Sequence, residues 1–459
     1  MWLNWLPWRY IVGHVARTRG FVDPVSVLAQ LHRFAQPSEV AAPLELLRAG
    51  VLFHARGLMN TGAIQHNLDW VWPYWVERQF DPHDDAFIPR AFSITHVNLT
   101  HRNWTAVGLP DCDWLPLVDP RGLLTPYWDG WSIDGWVITD DGRELLPSQA
   151  PAASQRLELC EESGVAVVTE SARDRLSLHS RVSMQAVQVF GQASSAICRQ
   201  HLVAKSNAPG WLVISLRPSN PEGVHFVHEL GLTPDELAWS IEGVRAVEFG
   251  SRVERHRASK YRKGDVRTWL LDGAEQRHMV CDVGMATAAA MFRLEPDLPR
   301  EVNVSVPFNA ALERAPETTK HHVFPSWPQA LRGHCRLQIP DRQFQFLYDA
   351  ALRTLVLHSP ADVYPGPYTY KRFWYRDAAF ILHAMLCAGL TDRVGRSLDR
   401  FPLRQTHGGY YRSQEGEWDA NGEALWILRR YLDLTGIEAP VSWRQSITRG
   451  AKWIVHKAA

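Results

Sequence analysis

The sequence has no excess charge of either sign: 49 Lys and Arg balance 49 Asp and Glu. That removes the basic footprint expected of a nucleic-acid binder, and there is no acidic tail. No apolar run approaches the roughly 18 residues of a membrane-crossing helix. Cysteine is sparse. The six, at positions 112, 160, 198, 281, 335 and 387, form no C-x-x-C pair and no clustered spacing. This argues for free thiols in a reducing compartment rather than a disulfide framework or a zinc site. The first ten residues are broken by Pro7 and Arg9 and hold no continuous apolar stretch. No signal peptide is read there, and a cytoplasmic location is expected. Also missing are a G-x-S-x-G elbow, a phosphate-binding P-loop and a dinucleotide fingerprint. His225, His228 and Glu229 approximate a zinc-peptidase box in the wrong order. In a strand-like stretch, residues three apart also face opposite ways. No metal and no cofactor are therefore expected.

The 459 residues are 46% apolar and 21% charged. This is the composition of a globular chain, long enough for about three domains or two large ones. Tryptophan is abundant: 20 Trp exceed 17 Phe and 12 Tyr. An indole joins a broad apolar face to one N–H donor and suits surfaces that are half greasy and half wet, such as the C–H faces of sugar rings. Most of these rings are expected in the core.

Periodicity divides the chain into four parts. Residues 1–84 read as helical, with Asp23-Pro24 opening one segment and Pro43 a second. Trp2, Trp5 and Trp8 near its start suit a packing arm, or an anchor at a membrane surface. Residues 85–307 change to a period of two. Strands are expected at 131–138, 164–169, 176–184, 211–216, 266–271 and 302–306, with turns at Asp140-Asp-Gly142, 207–210, 218–223 and Asp272-Gly273. Many strands without intervening helices imply a large antiparallel sandwich. Residues 308–340 read as a linker. From 341 to 459 helices return. Asp341 caps a segment that presents Phe344, Leu347, Ala351 and Leu355. An apolar helix over 378–388 follows, then a short one from Thr391, one through Tyr431, and a last one from Ser442. Amphipathic helices joined by long polar loops suggest stacked helical hairpins. The fold class is thus mixed α and β: N-terminal helices, an antiparallel sandwich and an α/α-hairpin region.

Two loops of the last region hold the densest polar and aromatic clusters. In the first, Trp374, Arg376 and Asp377 sit where the loop becomes a helix. A guanidinium and a carboxylate beside an aromatic face match sugar hydroxyls, each of which both donates and accepts. A structural role for Asp377, charging the helix N-terminus, stands beside this one. The second loop gathers Glu415, Glu417, Asp419 and Glu423 with Trp418 and Asn421. Glycoside hydrolysis uses two carboxyl groups, one protonated and one ionised, so Glu417 and Asp419 are candidates for catalysis. A solvated turn leading into a helix is the alternative. Residues 67–79 and 100–108 are also rich in Trp and polar groups, and packing is expected of them.

Together the loops resemble a known family. Tyr375, Arg376, Asp377 and Ala378 make one motif. The other is Glu417-Trp-Asp-Ala-Asn-Gly-Glu-Ala-Leu425, whose Asp419 lies 42 residues after Asp377. The pair looks like the six-hairpin glycosidases, and most like the bacterial glucoamylase-like and debranching-like proteins of glycoside hydrolase family 15 and its relatives. The resemblance implies a supersandwich followed by an (α/α)6 barrel. It implies an oligosaccharide or polysaccharide ligand, such as an α-glucan, held by Trp374, Arg376, Asp377, Trp418, Asp419 and Asn421. It also implies acid–base cleavage of a glycosidic bond. The chain departs from the family in one respect. About 120 residues follow position 340, room for two to three hairpins, and the family's general acid and base would fall beyond Ala459. The barrel is therefore expected to be incomplete, with a longer polypeptide or a second chain completing it. A non-catalytic carbohydrate-binding or partner-binding protein is the second expectation. A peripheral membrane role through the aromatic N-terminus is the third.

Overall fold

The computed structural model describes residues 63–64, 67, 69–74, 76, 83, 104–127, 130–150, 152–187, 195–220, 223–308, 324–367, 371–413 and 417–458. Two compact units divide the chain: Met1–Gln65 with Ile88–His96, and His66–Phe87 with Val97–Ala459. In the first unit only Ala63 and Ile64 are described, both helical. The expectations for Trp2, Trp5, Trp8 and the helices opened by Pro24 and Pro43 lie outside the described residues, as do Glu415 and residues 309–323 of the linker.

Two large antiparallel sheets dominate the second unit. Among the described residues one has eight strands. Its long members run in the order Ser132–Thr139, Gly210–Arg217, Thr287–Leu294 and Arg255–Ser259. The other has nine described strands. From its middle to one edge these run Arg300–Pro307, Ser195–Ser206, Leu176–Val187, Gly164–Arg173 and Ser154–Cys160. Their facing sides share one core. Ile133, Val137, Leu212, Ile214 and Phe292 of the first sheet meet Val167, Leu178, Val182, Leu202 and Val304 of the second. Leu176–Val187 alternates buried and part-exposed residues along most of its length, as a sheet with one wet face requires.

The first sheet does not alternate. Every residue of Ser132–Thr139 and Gly210–Arg217 is buried, because its second face is covered too. There Trp136, Ile138, Trp211 and Val213 pack with Val71, Val266 and Leu270. The strand expected at 266–271 is corrected. Val266–Trp269 is a 3-10 helix, whose N-cap Asp265 accepts from Arg267 N. Asp265 also pairs with Arg217, at 2.8 Å from Nη1 and 2.5 Å from Nη2, and accepts from Val71 N at 2.8 Å. Arg217 Nη2 in turn donates to Val71 O. Both side chains are buried. One ion pair therefore pins the 3-10 turn and the Val71 segment to the sheet, and Val71 packs there. Trp70 and Trp72 are buried and stacked, 6.1 Å between ring centroids.

Six helices follow among the described residues: α1 (Trp327–Ala330), α2 (Arg342–Leu357), α3 (Tyr375–Cys387), α4 (Thr391–Leu398), α5 (Ala420–Thr435) and α6 (Val441–Ala458). The Trp327 ring lies against Gly164 at the start of its strand. A Cβ there would overlap the indole, and Gly164 also has φ +66°, so glycine is required twice over. Asp341 caps α2 through Gln343 N and Phe344 N. On the face of α2 that carries Phe344, Leu347, Ala351 and Leu355, the first three are exposed and Leu355 is half-buried, while Leu352, Val356 and Leu357 enter the core. Helices α3 and α5 meet through Ala378, Ala379, Ala420 and Ala424, whose small side chains permit close approach. The apolar side of α6 is partly covered. Trp443 is buried and donates to Asp399 at 2.9 Å, whereas Ile454 and Val455 remain exposed.

Candidate functional site

The first motif begins where the chain changes from extended backbone to helix. Trp374 is the N-cap of α3, with φ −133°. Tyr375, the next residue, is buried among Phe373, Phe401 and Tyr411, with ring centroids 4.9–5.4 Å away. Its hydroxyl donates to Phe401 O at 3.2 Å. With Tyr375 anchored inward, the helical turn aims Arg376 outward and places Asp377 in the first turn. There a carboxylate is favoured by the helix dipole, the structural role weighed for it above.

The second motif begins α5. Asp419 is its N-cap and Glu423 lies in its first turn. The two helix starts converge. Arg376 Nη1 is 3.3 Å from Asp419 Oδ2, and Arg376 Nη2 is 3.9 Å from Asp377 Oδ2. All three side chains are at least one-third exposed. The pairs therefore hold geometry more than they add stability, about 0–1 kcal/mol each. The structure thus brings Arg376, Asp377 and Asp419 together across 42 residues of sequence.

Glu417 lies beneath them and is only 3% exposed. Ser413 donates its hydroxyl to Oε2, Arg376 N approaches Oε1 at 3.5 Å, and the Tyr410 hydroxyl donates to the Glu417 carbonyl at 3.1 Å. Burial pushes its carboxyl up to about 7. The Asp419 charge pushes the same way, against the Arg376 backbone and guanidinium. Glu423 is raised as well, chiefly by burial, and its Oε2 has no partner among the described residues.

Asn421 is corrected as a ligand-binding candidate. It is fully buried. Its Oδ1 accepts from Tyr411 N at 2.8 Å, and its Nδ2 donates to Gly409 O and Gly450 O at 3.0 Å each. The amide thus ties the loop to α6 and has nothing left for a ligand. Trp374 is half-buried with Arg372 over its ring at 5.1 Å, and its indole N–H has no partner among the described residues.

Beside this cluster runs an open groove of about 960 Å³, lined by Phe380, Trp418, Glu423, Trp426 and Trp453, with Asp419 at its margin. Tyr410, Trp453 and Trp418 stack nearly parallel, with interplanar angles of 13–28°. Trp418 is the outermost and is 56% exposed. Lys457 Nζ lies 5.9 Å from its ring centre. Sequence reading singled out neither Trp426 nor Trp453 for this site. The available signal was helical spacing: Phe380 and His383 both reach Trp426, at 5.7 and 5.0 Å.

No protein-family model matches the chain, and no curated protein is similar to it. Among solved structures it is similar to a bacterial glucoamylase complexed with acarbose, with 12% identity and a TM-score of 0.49. That match covers 77% of this chain and 59% of the other. A protein described as a kojibiose phosphorylase from the human microbiome is similar at 7% identity and TM-score 0.38, over 72% of this chain and 49% of that one. A glycoside hydrolase family 92 α-mannosidase from Bacteroides thetaiotaomicron follows at 8% identity and TM-score 0.30, over 76% and 63%. The chain thus spans about half to three-fifths of each. Identities of 7–12% with TM-scores below 0.5 leave substrate and activity to be argued from the site itself.

Proposed function

We propose that this chain is a glycoside hydrolase-like protein of carbohydrate metabolism. It acts on an α-glucan or related oligosaccharide held against Trp374, Arg376, Asp377, Trp418 and Asp419. The observation that carries this reading is the convergence of two separate helix starts on one guanidinium and two carboxylates, beside an exposed indole. Sugar hydroxyls need charged donors and acceptors at fixed spacing, and the ring's C–H face needs an aromatic platform. In this reading α2–α6 are part of an (α/α)6 toroid that a second chain completes. Glu417 and Asp419 are the local candidates for acid–base cleavage. A carboxyl raised to about 7 keeps its proton near neutrality, as a general acid must.

A second reading, binding without cleavage, is favoured by one observation. Glu417 is buried, with its oxygens engaged by Ser413 and Arg376 N. Titration calorimetry with linear maltooligosaccharides tests the site. Asp377→Asn and Trp418→Ala are each expected to weaken binding by about tenfold or more, the loss of about 1.4 kcal/mol. Unchanged affinity in both would sink the assignment. Release of reducing ends across α-linked oligosaccharides separates the readings, because turnover that Glu417→Gln abolishes supports cleavage, and binding with no turnover supports the second.

A further inference from the structure

The six cysteines are not equivalent. Cys112, Cys198 and Cys281 are buried, and Cys160 is half-buried with Arg181 Nη2 at 3.2 Å from its sulfur. Cys335 and Cys387 are exposed, and although 52 residues separate them in sequence they are neighbours in space. Cys335 N donates to Ala388 O at 2.7 Å, and Cys335 Sγ lies 3.5 Å from Cys387 O. Cys387 Sγ points back along α3, 3.8 Å from His383 Nε2. The approach is built into the backbone. Gly389 has φ +83°, and a Cβ on it would come within 2.6 Å of Gly333 O and 3.0 Å of Cys335 N. Tyr348 of α2 also fastens the segment, its hydroxyl donating to Cys335 O at 2.7 Å. A disulfide needs Cα atoms about 4.4–6.8 Å apart, and Cys387 directly precedes Ala388, whose carbonyl accepts from Cys335 N.

We propose that Cys335 and Cys387 are a modification site that closes into a reversible disulfide by exchange with a small disulfide such as glutathione disulfide. One thiolate attacks the external S–S bond, forming a mixed disulfide and releasing one glutathione. The second thiolate attacks that mixed disulfide, forms the Cys335–Cys387 bond and releases the other. Two protein thiols are oxidised and one external disulfide is reduced. The two protons end on the released glutathione thiols. Closure ties the segment preceding α2 to the end of α3, the helix whose first turn carries Arg376 and Asp377. It stands independently of any sugar at that site.

The test is peptide mapping of the full chain. Reduced protein is incubated natively with excess glutathione disulfide, quenched in acid, alkylated, digested and sequenced by mass spectrometry without reduction. The expected result is a peptide linking 335 to 387 that dithiothreitol dissolves, with Cys112, Cys198 and Cys281 alkylated only after unfolding. Cys387→Ser is expected to leave Cys335 as a lasting glutathione adduct. Separate adducts on Cys335 and Cys387 without a linked peptide, or no reaction at either, would overturn the proposal. Far-ultraviolet circular dichroism of the variant checks that it folds.

Discussion

Replacing Glu417 by Gln should make the protein's stability depend less on pH, by an amount that the burial of this one carboxyl sets. The ordinary value of the group is 4.5, and burial raises it to about 7 in the folded protein. Below about pH 4.5 both states hold the proton, and the residue contributes nothing to the pH dependence. Between 4.5 and about 7 the unfolded chain loses the proton while the folded one keeps it, so stability falls as pH rises. Each tenfold difference in proton affinity is worth about 1.4 kcal/mol. The loss should therefore reach about 3–4 kcal/mol and level off above the folded value. Glutamine has the shape of the protonated acid. Its oxygen can still accept from Arg376 N, and its amide faces the Ser413 hydroxyl. Urea unfolding of both proteins at half-unit steps from pH 4 to 8.5 isolates the residue, because every other titrating group cancels in the difference. The variant should be equally stable at pH 4 and more stable by about 3–4 kcal/mol at pH 8. A difference constant within about 0.5 kcal/mol across the range would refute the claim that burial governs this carboxyl.

Asp119 should behave alike and more strongly. It is fully buried, burial raises it from 3.8 to about 7, and its Oδ2 has no partner among the described residues. Asp119→Asn keeps the Oδ1 that accepts from Arg121 N and Leu123 N and should raise the melting temperature at pH 8 but not at pH 4, by scanning calorimetry. Asp265→Ala should cost about 3–5 kcal/mol in urea unfolding, because it strands the buried Arg217 charge. The double replacement Arg217→Met with Asp265→Leu should cost less than the single change. Gly164→Ala should destabilise by at least about 1–3 kcal/mol, since it adds a Cβ inside the Trp327 ring at a positive φ; a thermal melt unchanged within a degree would count against that packing.

What could be read in the sequence follows how locally each feature is determined. Leu176–Val187 was legible because one face is wet and its side chains alternate. Ser132–Thr139 was legible as a strand, but its burial on both faces was not, since that depends on Val71 and Val266 arriving from distant sequence. Val266–Leu271 went wrong for the same reason. A short apolar run has no period of its own. A carboxylate just before it, Asp265, binds Arg217 and one of its own backbone amides, and these bonds wind the run into a 3-10 turn. On α2 the helix was legible, whereas the buried stripe was not. Phe344 and Leu347 are more apolar than the alternative, yet the neighbouring elements cover Leu352 and Val356.

The site divides in the same way. That Arg376, Asp377 and Asp419 share a place was accessible only through the family resemblance, because no local rule links positions 42 apart. Their individual roles depend on depth. Asn421, Glu417 and Trp418 stand within five residues, yet Asn421 is fully buried, Glu417 is 3% exposed and Trp418 is 56% exposed. The first helical turn of α5 explains the order. Asn421 faces inward toward Gly409 and Gly450, and Trp418, before the helix begins, leans on Tyr410 and Trp453. Three residues that composition treats as one polar-aromatic cluster thus become a fastening, a buried proton and a platform. Only the platform and the Arg376 carboxylate pair face solvent, so a sugar-binding experiment should respond to Trp418 and Asp377 first. Asn421→Ala should act through the melting temperature, lowering it by removing three hydrogen bonds to the backbone.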